Sequence, residues 1–134
     1  MVKRDGKQVM KAILFIALGG AIGAIGRYGV TVAASQILGS HYPYGTVLVN
    51  VIGSFFLGAL IEGSAHWGAF NNEFRVFLIV GVLGSFTTFS AFSMDVAMLI
   101  NRNELFTAGL YIITSTVLSI GAYFLVMMLF RQLF

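Results

Sequence analysis

Asn50, Thr87, Thr88, Ser90, Ser93, Ser115 and Ser119 are hydrogen-bonding side chains set inside long apolar runs, and Phe86, Phe89 and Phe92 recur among them at intervals of three. None of these donors carries a fixed positive charge, so together they suit a small anion in transit rather than one held tightly. Aromatic rings carry partial positive charge at their edges, and an edge-on Phe helps an anion shed water without trapping it. Conduction needs that compromise, with binding strong enough for entry and weak enough for exit.

The densest part of this set is Gly81 to Ser93, G-V-L-G-S-F-T-T-F-S-A-F-S. Hydroxyls and rings alternate there where a lipid-facing helix would carry Leu and Val. In hydrocarbon every backbone N–H and C=O must find a partner, so such an interruption is tolerable only where it is buried in protein or lines a polar cavity. The stretch reads as a broken helix at a functional centre. A small-residue packing face formed by Gly81, Gly84 and Ser85 is the structural alternative, and the flanking Thr87, Thr88, Ser90 and Ser93 argue for the break. Carbonyls freed by a break can also hold a cation, as unwound helices do in transporters.

The elements that position these residues are membrane spans. Of 134 residues 58% are hydrophobic and only 10% charged, with a mean hydropathy of +0.92, which describes a membrane protein rather than a soluble surface. Four apolar segments are long enough to cross a bilayer as helices: about 12–38, 46–65, 74–99 and 106–130. The first continues past Arg27 with a ladder of Gly19, Gly20, Gly23 and Gly26, unlike a cleaved signal. Gly19 and Gly23 form a GxxxG pair suited to close helix approach. Arg27 is either an interfacial anchor or a vestibule charge that attracts anions. Asn50 is either helix glue or an anion donor. Ser115 and Ser119, four apart, share one helix face. Tyr42, Tyr44 and Trp67 suit the membrane interface, and no soluble domain is expected after Arg131.

Four spans place both termini on one side. That side holds Lys3, Arg4, Lys7, Lys11, Arg75 and Arg131, against Arg27 and Arg102 on the other, a bias toward cytoplasmic termini. A start at Met10 in place of Met1 would remove the first three and leave orientation nearly undetermined. Absence of cysteine excludes disulfides and thiol chemistry. No Ser/His/Asp constellation, HExxH pair or phosphate loop is present, and His66 has no ligand partners at helical spacing. The chain is not expected to be an enzyme, and no basic patch interleaved with aromatics points to nucleic acid.

Three motifs, G-G-A-I-G-A-I-G-R-Y at Gly19 to Tyr28, Y-P-Y-G-T-V-L-V-N-V-I-G at Tyr42 to Gly53, and G-S-F-T-T-F-S-A-F-S at Gly84 to Ser93, resemble those of the Fluc (CrcB) fluoride channels across all four spans. The resemblance implies an all-α polytopic membrane protein of the bacterial inner membrane. Its four helices, the third broken, would pair with an inverted second copy in an antiparallel dual-topology dimer that passes cytoplasmic fluoride outward passively and confers fluoride resistance. It further implies a central structural Na+ held by the backbone carbonyls of Gly84 and Thr87. Pore phenylalanines match Phe89 and Phe92, and the pore asparagine matches Asn50. Fluoride-track hydroxyls match Ser90, Ser93, Ser115 and Ser119, and the vestibule arginine and acid match Arg27 and Asp95.

This sequence departs from the family pattern at Ala91, where many relatives carry Thr, and at Asp95, a shorter acid than the Glu of others. The basic amino terminus would favour a paired heterodimer of fixed orientations, whereas retention of the whole pore set favours the homodimer. Two other functions compete. A small multidrug-type proton-coupled exporter needs a carboxylate in mid-span of the first helix, and none is there. A purely structural membrane subunit needs no aligned hydroxyls and Phe rings.

Overall fold

The computed structural model describes residues 5–66, 68 and 70–133. Lys3 and Arg4 of the basic flank, and Trp67, lie outside the described residues. The described chain is all-helical, and four of its helical stretches are long and apolar enough to cross a membrane. They comprise α1 (Gly6–Leu38), α2 (Tyr44–His66), a composite third span and α6 (Leu105–Leu133). The third span begins with α3 (Asn72–Arg75) and continues as a π-helical stretch, Val76–Leu83. It then runs through one α-helical turn, α4 (Gly84–Phe86), breaks, and resumes as α5 (Phe89–Asn101).

The helix ends follow from local chemistry. Gly39, at φ 84°, stops α1 in a left-handed conformation that glycine adopts without steric cost. Asn71 Oδ1 accepts from Phe74 N at 2.8 Å and caps α3. Between α5 and α6 Asn103 takes φ 60°, while Asn103 N and Glu104 N bond back to the carbonyls of Ile100 and Leu99. That is the αL termination Asn tolerates best after Gly. α1 starts six residues before the apolar run, so Lys7 and Lys11 stand on an exposed helical extension at one membrane face.

Packing divides the third span at its break. Before the break it lies along α1, and beyond it α5 packs on α6, while α2 runs along α6. The α1 contact is a backbone contact: a Cβ on Gly19 would strike Phe77 O, and one on Gly23 would strike Val82 O. Gly81 meets Gly19 from the other side, its own Cβ position 2.9 Å from Gly19 Cα. Of the small-residue face, Gly81 packs from the π-helical stretch and Ser85 Oγ lies 3.3 Å from the Cβ position of Gly20, whereas Gly84 is exposed and meets no other helix. At the membrane ends Arg131 Nε reaches Glu62 Oε1 at 2.8 Å, tying α6 to α2. His41 Nε2 lies 3.7 Å from Glu104 Oε2 between the first and third connections.

Large apolar side chains on all four spans are exposed, with Ile25, Ile37 and Phe106 among them. The interior is small by comparison, centred on Leu99, Ala108 and Tyr111 with Phe92, Val96 and Tyr42 against them. Such helices are solvated by lipid or by another protein surface.

Candidate functional site

The break lies at Thr87 and Thr88, whose backbones are extended (φ −78°, ψ 157° and φ −154°, ψ 121°). Side chains cover most of the polar groups this exposes. Asn50, on α2, bridges Thr88 with both of its amide atoms, accepting from Thr88 N at 2.7 Å and donating to Thr88 O at 3.0 Å. Thr87 Oγ1 and Thr87 N both donate to Leu83 O. Thr88 Oγ1 caps α5 by accepting from Ala91 N at 3.0 Å, and it shares a bond with Ser90 Oγ. Gly53, one turn beyond Asn50, leaves room for the Thr87 methyl, which a Cβ at that position would strike.

The carbonyls of the turn before the break lose their helical donors in this arrangement, those of Gly84 and Thr87 among them. In an uninterrupted α-helix Gly84 O would accept from Thr88 N and Thr87 O from Ala91 N, and both N–H groups are instead bound by side chains. Gly84 and Thr87 are therefore among the backbone positions whose acceptors are released by the break, with Ser85 and Phe86 between them, and Gly84 is exposed. Oxygen acceptors of this kind suit a hard cation. Among the described residues no cluster of His, Cys, Asp or Glu could hold a metal.

Beside the break is a cavity of about 380 Å³. Asn50, Phe89, Phe92, Ser115 and Ser119 all line it, together with Gly84 and Thr87. Its walls come from α2, the two halves of the broken span, and α6. Ser115 is buried, and Ser119 Oγ is shielded from solvent without a hydrogen-bond partner among the described residues. A buried hydroxyl in that condition is an available donor. The rings of Phe89 and Phe92 sit 5.4 Å apart, and Phe89 is 78% exposed in the single chain. Asn50 keeps one amide hydrogen beyond those used on Thr88.

Arg27 and Asp95 share a second space, a groove of about 480 Å³ that Thr46, Thr88 and Ser90 also line. Among the described residues no ion pair joins them. Asp95 Oδ2 accepts from Thr46 Oγ1 at 2.6 Å and from Tyr111 Oη at 2.9 Å. Ser90 thus faces the groove rather than the cavity. Ser93 Oγ donates to Phe89 O at 3.0 Å on an exposed face of α5. The single chain brings Asn50, Phe89, Phe92, Ser115 and Ser119 together and leaves Ser90 and Ser93 outside that group.

Thr46 and Tyr111 were not singled out from the sequence, yet both fix Asp95 and both are buried. A signal for them exists. Thr46, Asn50 and Ser54 recur every fourth residue on α2, as Tyr111, Ser115 and Ser119 do on α6, so each triplet shares one helix face. Ser54 lines the same cavity as Asn50.

Residues 14–127 match the family model described as CrcB-like protein, Camphor Resistance (CrcB). The chain belongs to the CrcB family. A CrcB relative from Rhodospirillum centenum, named fluoride-specific ion channel FluC, is 47% identical over 122 residues, covering 91% of this chain and 97% of that protein. Proteins of the same name from Agrobacterium fabrum and Caulobacter vibrioides are 45% and 43% identical. The alignments cover 91% and 93% of this chain and 98% and 99% of theirs. This CrcB chain is accordingly a multi-pass membrane protein with four membrane-spanning stretches.

Proposed function

We propose that this CrcB chain is a fluoride-selective channel of the bacterial inner membrane, not an enzyme, and that it lets cytoplasmic fluoride leave passively and so confers resistance. The observation that carries the proposal is the cavity beside the broken helix. Its lining combines the Asn50 amide and the Ser115 and Ser119 hydroxyls with the rings of Phe89 and Phe92. A compact anion can trade its hydration for donors so spaced. A larger anion gains less from the same donors and must displace the rings. The likeness to proteins named fluoride-specific ion channel supports the same choice of anion.

The active form in this reading is an antiparallel dual-topology homodimer, in which a second, inverted copy completes each pore. Support comes from the exposure of Phe89, Gly84, Ser90 and Ser93 on the single chain. Residues that would serve a pore have no reason to face lipid, and an inverted copy would cover them. The Gly84 and Thr87 carbonyls fit a structural Na+ at the contact between the two broken spans, because both have lost their helical donors. When bound, the ion supplies positive charge that offsets the gathered carbonyl dipoles. In the same reading Ser90 and Ser93 join the fluoride track across the dimer, and Arg27 with Asp95 forms the vestibule.

Efflux of fluoride from liposomes holding only this purified chain tests the proposal. Fluoride should leave passively and far faster than chloride, and Phe89→Ile or Phe92→Ile should abolish or greatly slow it while the dimer persists. Equal chloride and fluoride rates, efflux only under an imposed proton gradient, or wild-type rates in both variants would overturn it. Crosslinking that yields only parallel dimers, or currents unchanged after exhaustive sodium removal, would overturn the assembly and the ion respectively.

A further inference from the structure

Tyr42 belongs to the short connection between α1 and α2, yet it is tied deep into the bundle. Thr114 Oγ1 on α6 donates to Leu110 O at 2.8 Å, so the Tyr42 hydroxyl, 2.7 Å from that oxygen, is the donor between the two. The Tyr42 ring meets Tyr111 edge-on, with centroids 5.6 Å apart and planes at 86°. Tyr111 is wholly buried and lies 5.3 Å from Phe92, which is 5.4 Å from Phe89. A row of touching rings therefore runs from the membrane-surface connection to the broken helix. Tyr42 does not itself line the cavity of Phe89 and Phe92. Its only access to that cavity along this row is through Tyr111 and Phe92.

We infer that Tyr42 is a positioning residue for the pore rings, an inference that rests on the cavity's being the fluoride route. Its bond to Thr114 fixes the Tyr42 ring, and the Tyr42 edge fixes the tilt of Tyr111. Tyr111 is pinned at its other end by the bond to Asp95, so it has one orientation to offer Phe92. In a close-packed interior a ring cannot turn unless its neighbours give way. The tilt of Phe92, and with it the gap beside Phe89, is thereby set from the loop.

The test uses full-length Tyr42→Phe, Thr114→Val, their double variant and Tyr42→Leu. One readout is the ¹⁹F resonance of 4-fluorophenylalanine placed at position 92. The other is unitary fluoride current in planar bilayers. Tyr42→Phe and Thr114→Val should each shift the resonance and lower the unitary current roughly fivefold, the factor one net hydrogen bond commands. The double variant should fall no further, because both changes delete the same bond. Tyr42→Phe, which keeps the ring, should retain more current than Tyr42→Leu. A merely structural role would reduce the number of active channels and leave the unitary current alone. An unshifted resonance with unchanged current in both single variants, or losses that multiply in the double variant, would overturn the inference. A shifted resonance in a wild-type background that passes no fluoride would uphold the coupling of Tyr42 to Phe92 and overturn the fluoride reading.

Discussion

Replacing Asn50 separates two roles that its position combines. In Asn50→Leu both bonds to Thr88 disappear, and Thr88, a buried residue, keeps an N–H and a C=O with no partner from α2. A buried N–H left unsatisfied costs about 1–3 kcal/mol, while Thr88 O, the N-cap carbonyl of α5, keeps its first intrahelical donor and loses only a net bond of about 0.5–1.5 kcal/mol, so the variant should lose about 1.5–4.5 kcal/mol. Asn50→Asp retains an oxygen for Thr88 N but sets its second carboxylate oxygen against Thr88 O, acceptor facing acceptor, which places its loss at about 1–3 kcal/mol or more. Unfolding by titrated denaturing detergent in mixed micelles, referenced to the wild type, reads these differences. Transport separates the roles: a carboxylate on the cavity wall repels an anion, so Asn50→Asp should block fluoride efflux whatever its structural penalty. Asn50→Leu within about 0.5 kcal/mol of wild type, a margin typical of inconsequential surface changes, would refute the view that Asn50 holds the break together. Undiminished fluoride efflux in Asn50→Asp would remove it from the conduction path.

Further substitutions probe the scaffold. Gly53→Ala should destabilise the protein by about 1–3 kcal/mol, since the new Cβ strikes the Thr87 methyl, and Thr87→Ser, which deletes that methyl, should restore much of the loss in detergent unfolding. Gly23→Ala should cost at least as much, about 1–3 kcal/mol or more, without rescue by any side-chain change, because the contact is with Val82 backbone. Asp95→Leu leaves the buried Thr46 and Tyr111 hydroxyls without their shared acceptor, a loss of about 1–3 kcal/mol for each. Asp95→Asn, whose carbonyl oxygen still accepts, should stay much nearer wild type in the same assay.

Much of this architecture was readable from residue types because a membrane punishes unpaired backbone. A Gly- and hydroxyl-rich interruption between apolar runs had few permissible meanings, and Thr87, Thr88 and Asn50 meet at the break. What could not be read was long-range pairing. The same glycine pattern served equally for packing and for chemistry until Gly19 and Gly23 were seen against the backbone of the π-helical stretch. That stretch left no trace in the sequence, since Val76 to Leu83 is as apolar as any α-helical span. Thr46 and Tyr111 escaped notice because a hydroxyl in a span has many bland uses, and only their convergence on one oxygen of Asp95 gives them a task. Ser90 and Ser93 share the motif of Phe89 and Phe92 yet face away from the cavity of the single chain. Helical spacing places residues on faces of one helix and is silent about which face a second copy would cover.

In the proposed channel the break would also let one discontinuity serve ions of both signs. The turn ending at Thr87 presents carbonyls, the negative end of its helix, while α5 opens at Phe89 with N–H groups, the positive end of its own. Asn50 is the one side chain that spans the junction, and it neutralises Thr88 alone, the residue between the two ends. The Gly84 and Thr87 carbonyls keep no helical donor and can be satisfied by a cation or a foreign donor. Beyond the break Phe89 and Ser90 open the first turn of α5. An unbroken helix would have cancelled both ends within its own ladder, leaving a span of Phe and Ser with no preference for charge. The polarity therefore comes from the backbone, which is why side-chain changes at Thr87 should disturb the cation less than changes of backbone geometry at Gly84.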